Sequence, residues 1–221
     1  MYKNIKDVAV VIQARLGSQR VPRKMIREFG GTTLVDLALE KIKKCETFSE
    51  ENFYLSVYEK ELVDIGNNHN VNIFKRSQAS ADSEGTPMSL MYEWWNKLPY
   101  KYCILVSACT PFLNHKTIDN FVKRYLETES DGLFAVIEKK NYFWNDDFSL
   151  ITEWPEGQDV MNTKFVGKTY EAAHCLYAGK MSKIGESIWM GDFGKKGDIE
   201  LFPIHEMEAL DIDYEWQFKM C

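Results

Sequence analysis

Four cations crowd one short segment of this chain: Arg15, Arg20, Arg23 and Lys24 fall within ten residues, directly behind the apolar run Val8-Ala9-Val10-Val11-Ile12. Gly17 permits close backbone approach and Ser18 adds a hydroxyl donor. A loop of that make-up can surround a polyphosphate with guanidinium, ammonium and backbone N–H groups. Near the other end, Asp211-Ile212-Asp213 sets two carboxylates one residue apart. On extended backbone alternate side chains share a face, so both acids point one way and Ile212 the other. Paired carboxylates are hard oxygen ligands of the kind Mg²⁺ takes together with substrate phosphates. Alone, the acidic pair reads more readily as a solvated edge, whereas a solvated turn is a poor account of four cations behind a buried strand. Together they point to metal-assisted nucleotidyl transfer.

Two common phosphate loops are absent from the sequence. There is no G-x-x-x-x-G-K-[ST] and no G-x-G-x-x-G, which weakens a dehydrogenase reading.

The elements that must carry these groups alternate. Residues 7–14 form a nearly continuous β-branched run, the pattern of a parallel strand covered on both faces. Thr33-Leu34-Val35-Asp36 opens a helix as a capping box, with Leu34, Leu37, Ala38, Ile42 and Cys45 on its apolar face. Strands are expected at 53–57, 71–74, 102–106 and 132–137, with helices at 61–67 and 117–126. A polar loop at 76–87 precedes a helix whose apolar side carries Met88, Met91, Trp94 and Trp95. The rhythm predicts an α/β fold with a doubly wound, mostly parallel sheet. Such sheets bind ligands at the carboxyl ends of their strands, where the loop after the first strand stands. The alternation breaks at Lys139. Residues 141–168 mix aromatics with turn formers and read as a hairpin excursion, folded onto its own domain or against a second subunit. No repeat or linker divides residues 1–221, so one domain is expected.

Composition bounds the partners. The chain has 221 residues, is 45% hydrophobic and 27% charged, and carries a net charge of −6. That balance fits a globule and lacks the basic excess of a protein built for duplex nucleic acid. Apolar runs fall well short of the ~20 residues of a membrane span. The first residues lack a signal-peptide core, so a cytoplasmic protein with no membrane partner is expected. Five scattered cysteines without a C-x-x-C suggest buried reduced thiols rather than disulfides or a zinc site.

Residues 11–24, Val-Ile-Gln-Ala-Arg-Leu-Gly-Ser-Gln-Arg-Val-Pro-Arg-Lys, closely resemble the opening motif of the acylneuraminate (CMP-sugar) cytidylyltransferases. Residues 209–215, Ala-Leu-Asp-Ile-Asp-Tyr-Glu, are similar to that family's carboxy-terminal metal motif. The resemblance implies a nucleotide-diphospho-sugar transferase-like (Rossmann-like) fold, CTP as donor, a small acidic acceptor, Mg²⁺, and a homodimer formed through an excursion like 141–168. It places Arg15, Gly17, Ser18, Arg20 and Lys24 at the triphosphate and Asp211 and Asp213 at the metal, with Arg15 and Lys24 also catalytic. Arg76, Asp82 and Ser83 would lie over the cytidine, and Ser107 near the nucleotide.

The sequence departs from the family at Met25, Ser107 and 171–177, where Glu-Ala-Ala-His-Cys-Leu-Tyr stands in place of R-P-N-G-x-x-Y. In that family these positions face the acceptor or the ribose, so the resemblance makes Glu171 and His174 candidates to bind the acceptor. A nine-carbon acidic sugar of the sialic, legionaminic or pseudaminic kind is the first expectation. A phosphonate or other 2-keto acid is the alternative, and a non-catalytic nucleotide-binding homologue a further one.

Overall fold

The expected first strand forms as β1 (Val8–Gln13), and its first five residues are fully buried. This is a computed structural model that describes residues 2–82 and 85–221. Alternation sends β1 side chains to both faces of the sheet. Val8, Val10 and Ile12 join the larger core, while Ala9 and Val11 join a smaller one around Trp94, Met181 and Ile184. A strand buried on both sides needs a layer on each side, which is the doubly wound plan.

The chain continues through α1 (Leu34–Lys43), β2 (Phe53–Val57), α2 (Lys60–Asn68), β3 (Asn72–Lys75), α3 (Gln78–Ala81) and α4 (Met88–Met91). After these come β4 (Tyr102–Val106), α5 (His115–Glu127), β5 (Gly132–Lys139), β6 (Thr169–Lys180), α6 (Met181–Gly185), β7 (Ile199–Ile204) and α7 (Glu215–Met220). The strands lie in the order β3-β2-β1-β4-β6-β5-β7. Pairings are parallel except the two made by β6, which runs antiparallel to β4 and β5. Strand order changes direction between β1 and β4, so the segments leaving those two strands open into one crevice.

Thr33 caps α1 as expected, its Oγ1 accepting from the Asp36 N–H at 3.2 Å, but the Asp36 carboxylate accepts from the Thr33 hydroxyl at 2.6 Å in place of the backbone N–H that a full capping box would use. The buried face of α1 is Leu34, Val35, Ala38, Leu39 and Ile42. Leu37, expected inward, falls on the flank of that stripe, and Cys45 lies beyond the helix end.

Three expectations need correction. The single helix over Met88 to Trp95 is instead α4 followed by a 3₁₀ turn, Glu93–Asn96. Trp94 is fully buried with its Nε1 donating to Gln13 Oε1 at 2.9 Å, and that tertiary anchor outweighs the local helical spacing. The polar loop at 76–87 contains α3, capped by Ser77.

The excursion 141–168 is not a regular hairpin. Its one antiparallel bridge, among the described residues, joins Trp144 to Leu150. Tyr142 is buried, with ring centroids 5.5 Å from Trp154 and 6.4 Å from Trp144, and Thr152 Oγ1 accepts from the Phe143 N–H. A side-chain knot thus replaces a strand ladder, leaving Phe148, Ile151 and Phe165 exposed.

All five cysteines are free. Cys103 and Cys175 are buried as expected, Cys45 and Cys109 are half-buried, and Cys221 is exposed. Among the described residues no helix is long and apolar enough to cross a membrane.

Candidate active site

The segment leaving β1 is pinned before it reaches the crevice. Ala14 N–H donates to Ser56 O at 3.1 Å, Ala14 O accepts from Arg76 at 2.9 Å, and Leu16 N–H donates to Glu59 Oε1 at 2.7 Å. Val21 and Met25 then turn into the core, and Met25 O accepts from the Val35 N–H at the start of α1. With its apolar residues anchored inward, the loop leaves its cations along the crevice wall. Arg23 departs from this pattern. Its backbone is left-handed (φ 53°), and its side chain turns outward to Glu61 at 3.3 Å. Three of the four cations, not four, therefore face the cleft.

The carboxyl-terminal arm is brought to the same place by contacts made far along the sequence. Arg27 forks onto both Glu215 oxygens at 2.8 and 3.0 Å and lies 4.2 Å over the Phe218 ring. Ile212 N–H donates to Cys109 O at 3.0 Å, and the Ile212 side chain is fully buried. Asp211 and Asp213 consequently face the other way, as alternation predicts.

Arg15, Gly17, Ser18, Arg20, Lys24, Asp211 and Asp213 all line one cleft of about 500 Å³. That is within the range of about 300–1,000 Å³ usual for small-molecule sites. Arg20 pairs with Asp213 Oδ1 at 2.7 Å. Lys24 is buried, its Nζ 3.5 Å from the same oxygen and donating to Ile212 O at 2.5 Å. Asp211 Oδ1 is buried with no hydrogen-bond partner. Burial, reinforced by the negative charge of Asp213, raises the Asp211 pKa against the opposing pull of Lys24, His174 and Arg20. A carboxylate held back in this way gains most from an added cation.

Two smaller cavities adjoin the cleft. One of about 200 Å³ is lined by Gln13, Arg15, Arg76, Ser80, Asp82 and Met91. The Arg76 guanidinium within it is buried and already donates to Ala14 O and to Ser80 O at 3.2 Å. Its Nε is buried without a partner, and burial lowers its pKa to about 10. Arg76 thus ties the loop after β1 to α3 while presenting one edge to the cavity. Asp82 is exposed there, and Ser83 lies outside the described residues.

The other cavity, about 190 Å³, is lined by Tyr92, Ser107, Cys109, His174 and Tyr177 among others. Ser107 Oγ accepts from the Cys109 N–H at 3.1 Å. Glu171 pairs instead with Lys139 at 3.4 Å and lines none of these three cavities.

Gln13 lines all three, and no role was assigned to it from sequence. Its Oε1 accepts from Trp94 and its Nε2 donates to Met91 O at 3.2 Å. The available signal was a polar side chain closing an otherwise apolar buried strand. Lys41 also escaped notice. It donates to Thr110 O at 2.7 Å and Pro111 O at 3.1 Å, bracing the turn that carries Cys109, and burial lowers its pKa to about 8.

A cationic loop at the switch point of a doubly wound sheet, facing a carboxylate pair, has the form of a nucleotide-handling α/β site. Residues 9–166 match the family model described as cytidylyltransferase. The chain belongs to the cytidylyltransferase family and is a CTP-utilising nucleotidyltransferase.

Among curated relatives it is 22% identical to the pseudaminic acid cytidylyltransferase of Campylobacter jejuni, over 92% of this chain and 89% of that one. It is also 22% identical to the spore coat polysaccharide biosynthesis protein SpsF of Bacillus subtilis, over 60% of this chain and 55% of that protein. A solved CMP:2-keto-3-deoxy-manno-octonic acid synthetase complexed with CTP superposes with a TM-score of 0.70 at 11% identity, covering 96% of this chain and 95% of that one. The 4-diphosphocytidyl-2C-methyl-D-erythritol synthase of Anaerococcus prevotii does so at 0.65 and 12%, covering 98% and 97%. The structural likenesses establish the nucleotidyltransferase-like fold.

Proposed function

We propose that this enzyme transfers CMP from CTP to an acidic sugar of the sialic, legionaminic or pseudaminic kind and releases pyrophosphate. The observation that carries this reading is the convergence of Arg15, Arg20 and Lys24 with Asp211 and Asp213 on one cleft, although the two groups lie at opposite ends of the chain. An acceptor hydroxyl, its proton released to solvent, attacks as the oxyanion on the α-phosphorus of CTP, the bond from that phosphorus to the bridging oxygen breaks, and pyrophosphate departs with the electron pair. Arg15, Lys24 and the Gly17-Ser18 backbone bind the β- and γ-phosphates and stabilise the charge that grows on them.

The donor set fits Mg²⁺. Asp211 offers a buried oxygen with no partner and Asp213 a second hard oxygen ligand, and Mg²⁺ commonly takes one or two carboxylates with the rest of its shell from phosphates and water. Bound there, the ion would neutralise charge at the α-phosphate and lower the pKa of the attacking hydroxyl. The adjoining cavity at Ser107, His174 and Tyr177 is the place for the acceptor. Its modest volume of about 190 Å³ also suits a smaller acid, so a phosphonate acceptor is the second reading.

The test is pyrophosphate release with each of the four nucleoside triphosphates against sialic, legionaminic, pseudaminic and 2-keto-3-deoxy-manno-octonic acids and an aminoalkylphosphonate. CTP-dependent release with one of the sugar acids is the expected result. Release with the phosphonate alone would select the second reading, and silence with every acceptor would overturn both.

The same proposal places the enzyme in the cytoplasm, where CTP is available, and as a homodimer. The exposed Phe148, Ile151 and Phe165 of the excursion support a second copy of this chain as their cover. Light scattering is expected to return twice the chain mass, and a monomer at micromolar concentration would refute the pairing.

A further inference from the structure

The strand β6 carries an irregularity that bears on the cavity beside the nucleotide cleft. Against β5 it pairs in two registers, Phe134 opposite Tyr177 and then Val136 opposite Ala172. The residues between crowd opposite Ala135 alone, and the strand bulges there. His174 sits in this bulge with left-handed backbone (φ 53°), a conformation that strains a residue bearing a Cβ. Its neighbours Ala173 and Cys175 are buried in the core, whereas His174 is exposed and lines the cavity.

The imidazole is not loose. Its Nδ1 lies 2.5 Å from the Tyr177 hydroxyl, which leaves Nε2 as the ring atom available to a ligand.

The cavity shares Gln13 and Cys109 with the cleft, yet among the described residues no lysine or arginine lines it. Aromatic faces, a serine hydroxyl and one oriented imidazole suit a polyhydroxylated acid better than a second polyphosphate. Strain at a bulge persists where the surroundings over-determine it and often re-aims a side chain toward a site. We infer that His174, oriented by Tyr177, is a specificity-determining residue for the acceptor: its Nε2 hydrogen-bonds an oxygen of a small polyhydroxy acid and holds that acid beside the nucleotide cleft. The inference rests on the cytidylyl transfer proposed above.

The experiment measures KM for CTP and KM for the acid separately, using whichever sugar acid the wild-type enzyme turns over in the panel above. His174→Gly removes the ring and relieves the left-handed strain, so folding is preserved. It is expected to raise the acid KM at least tenfold while the CTP KM stays within twofold. His174→Asn keeps a hydrogen-bonding side chain that tolerates left-handed backbone and should recover most of the loss. Tyr177→Phe should raise the acid KM about threefold through loss of ring orientation. An acid KM within twofold of wild type in His174→Gly, or equal rises in both KM values, overturns the assignment and leaves the transfer reaction standing. A wild-type enzyme that releases no pyrophosphate with any acid overturns the reaction and the assignment together.

Discussion

Asp211→Asn should lower pyrophosphate release about a thousandfold, some 4 kcal/mol of transition-state stabilisation, while the Kd for CTP changes by less than about fivefold. The amide keeps the shape of the side chain and loses its charge. In the proposed reaction Arg15, Arg20, Lys24 and loop N–H groups, which line the cleft together, share the triphosphate, so affinity has other supports. Charge control at the reacting phosphorus does not, since Asp213 is already paired with Arg20 and near Lys24. Burial and Asp213 raise the Asp211 pKa in the folded protein. The folded state therefore holds that proton more tightly than the unfolded chain, and the stability this group contributes is present at low pH and lost as pH rises through the raised pKa. Removing the charge should leave the melting temperature at pH 7.5 unchanged or higher. Turnover within a few-fold of wild type would rule out the assignment of Asp211 to the metal. Lost turnover with a large fall in melting temperature would show a folding defect instead.

Lys24→Met is expected to weaken CTP binding ten- to a hundredfold and to lower kcat/KM by about two to three orders of magnitude. Methionine fills much of the space of the lysine stem but has no ammonium. Three interactions go at once: the proposed contact of the ammonium with the triphosphate, its ion pair with Asp213, and the donor to Ile212 O. Leaving a buried carbonyl without its donor costs about 1–3 kcal/mol, so chemical denaturation should show reduced stability as well. Lys24→Arg should rescue poorly, because a planar, branched guanidinium does not fit the buried path of a narrow stem. Calorimetric titration with CTP separates the two effects. An affinity within twofold of wild type would remove Lys24 from the triphosphate site and leave it a structural strut for the 211–213 segment.

The contrast between Lys24 and Arg23 shows where local pattern stops being informative. Both are cations in the same loop, adjacent in sequence. One turns inward and the other reaches Glu61 at the surface, because Val21 and Met25 anchor the loop and a left-handed residue reverses its direction between them. Arg76 teaches the same lesson. It reads as a ligand-facing cation, whereas its guanidinium is largely spent on Ala14 O and Ser80 O.

The sequence by itself determined the alternating strands and helices, the capped start of α1, the inward Ile212 between two outward acids, and the presence of a cationic loop and a carboxylate pair. Each depends on residue type and on neighbours a few positions away, which periodicity and side-chain chemistry report directly. Tertiary structure alone decided that β6 runs antiparallel between β4 and β5, that Trp94 breaks a helix to reach Gln13, that His174 sits in a bulge, and that the two ends of the chain share one cleft. Those outcomes depend on contacts such as Arg27 with Glu215, 188 positions apart, whose free energy exists only once the sheet has brought the partners together.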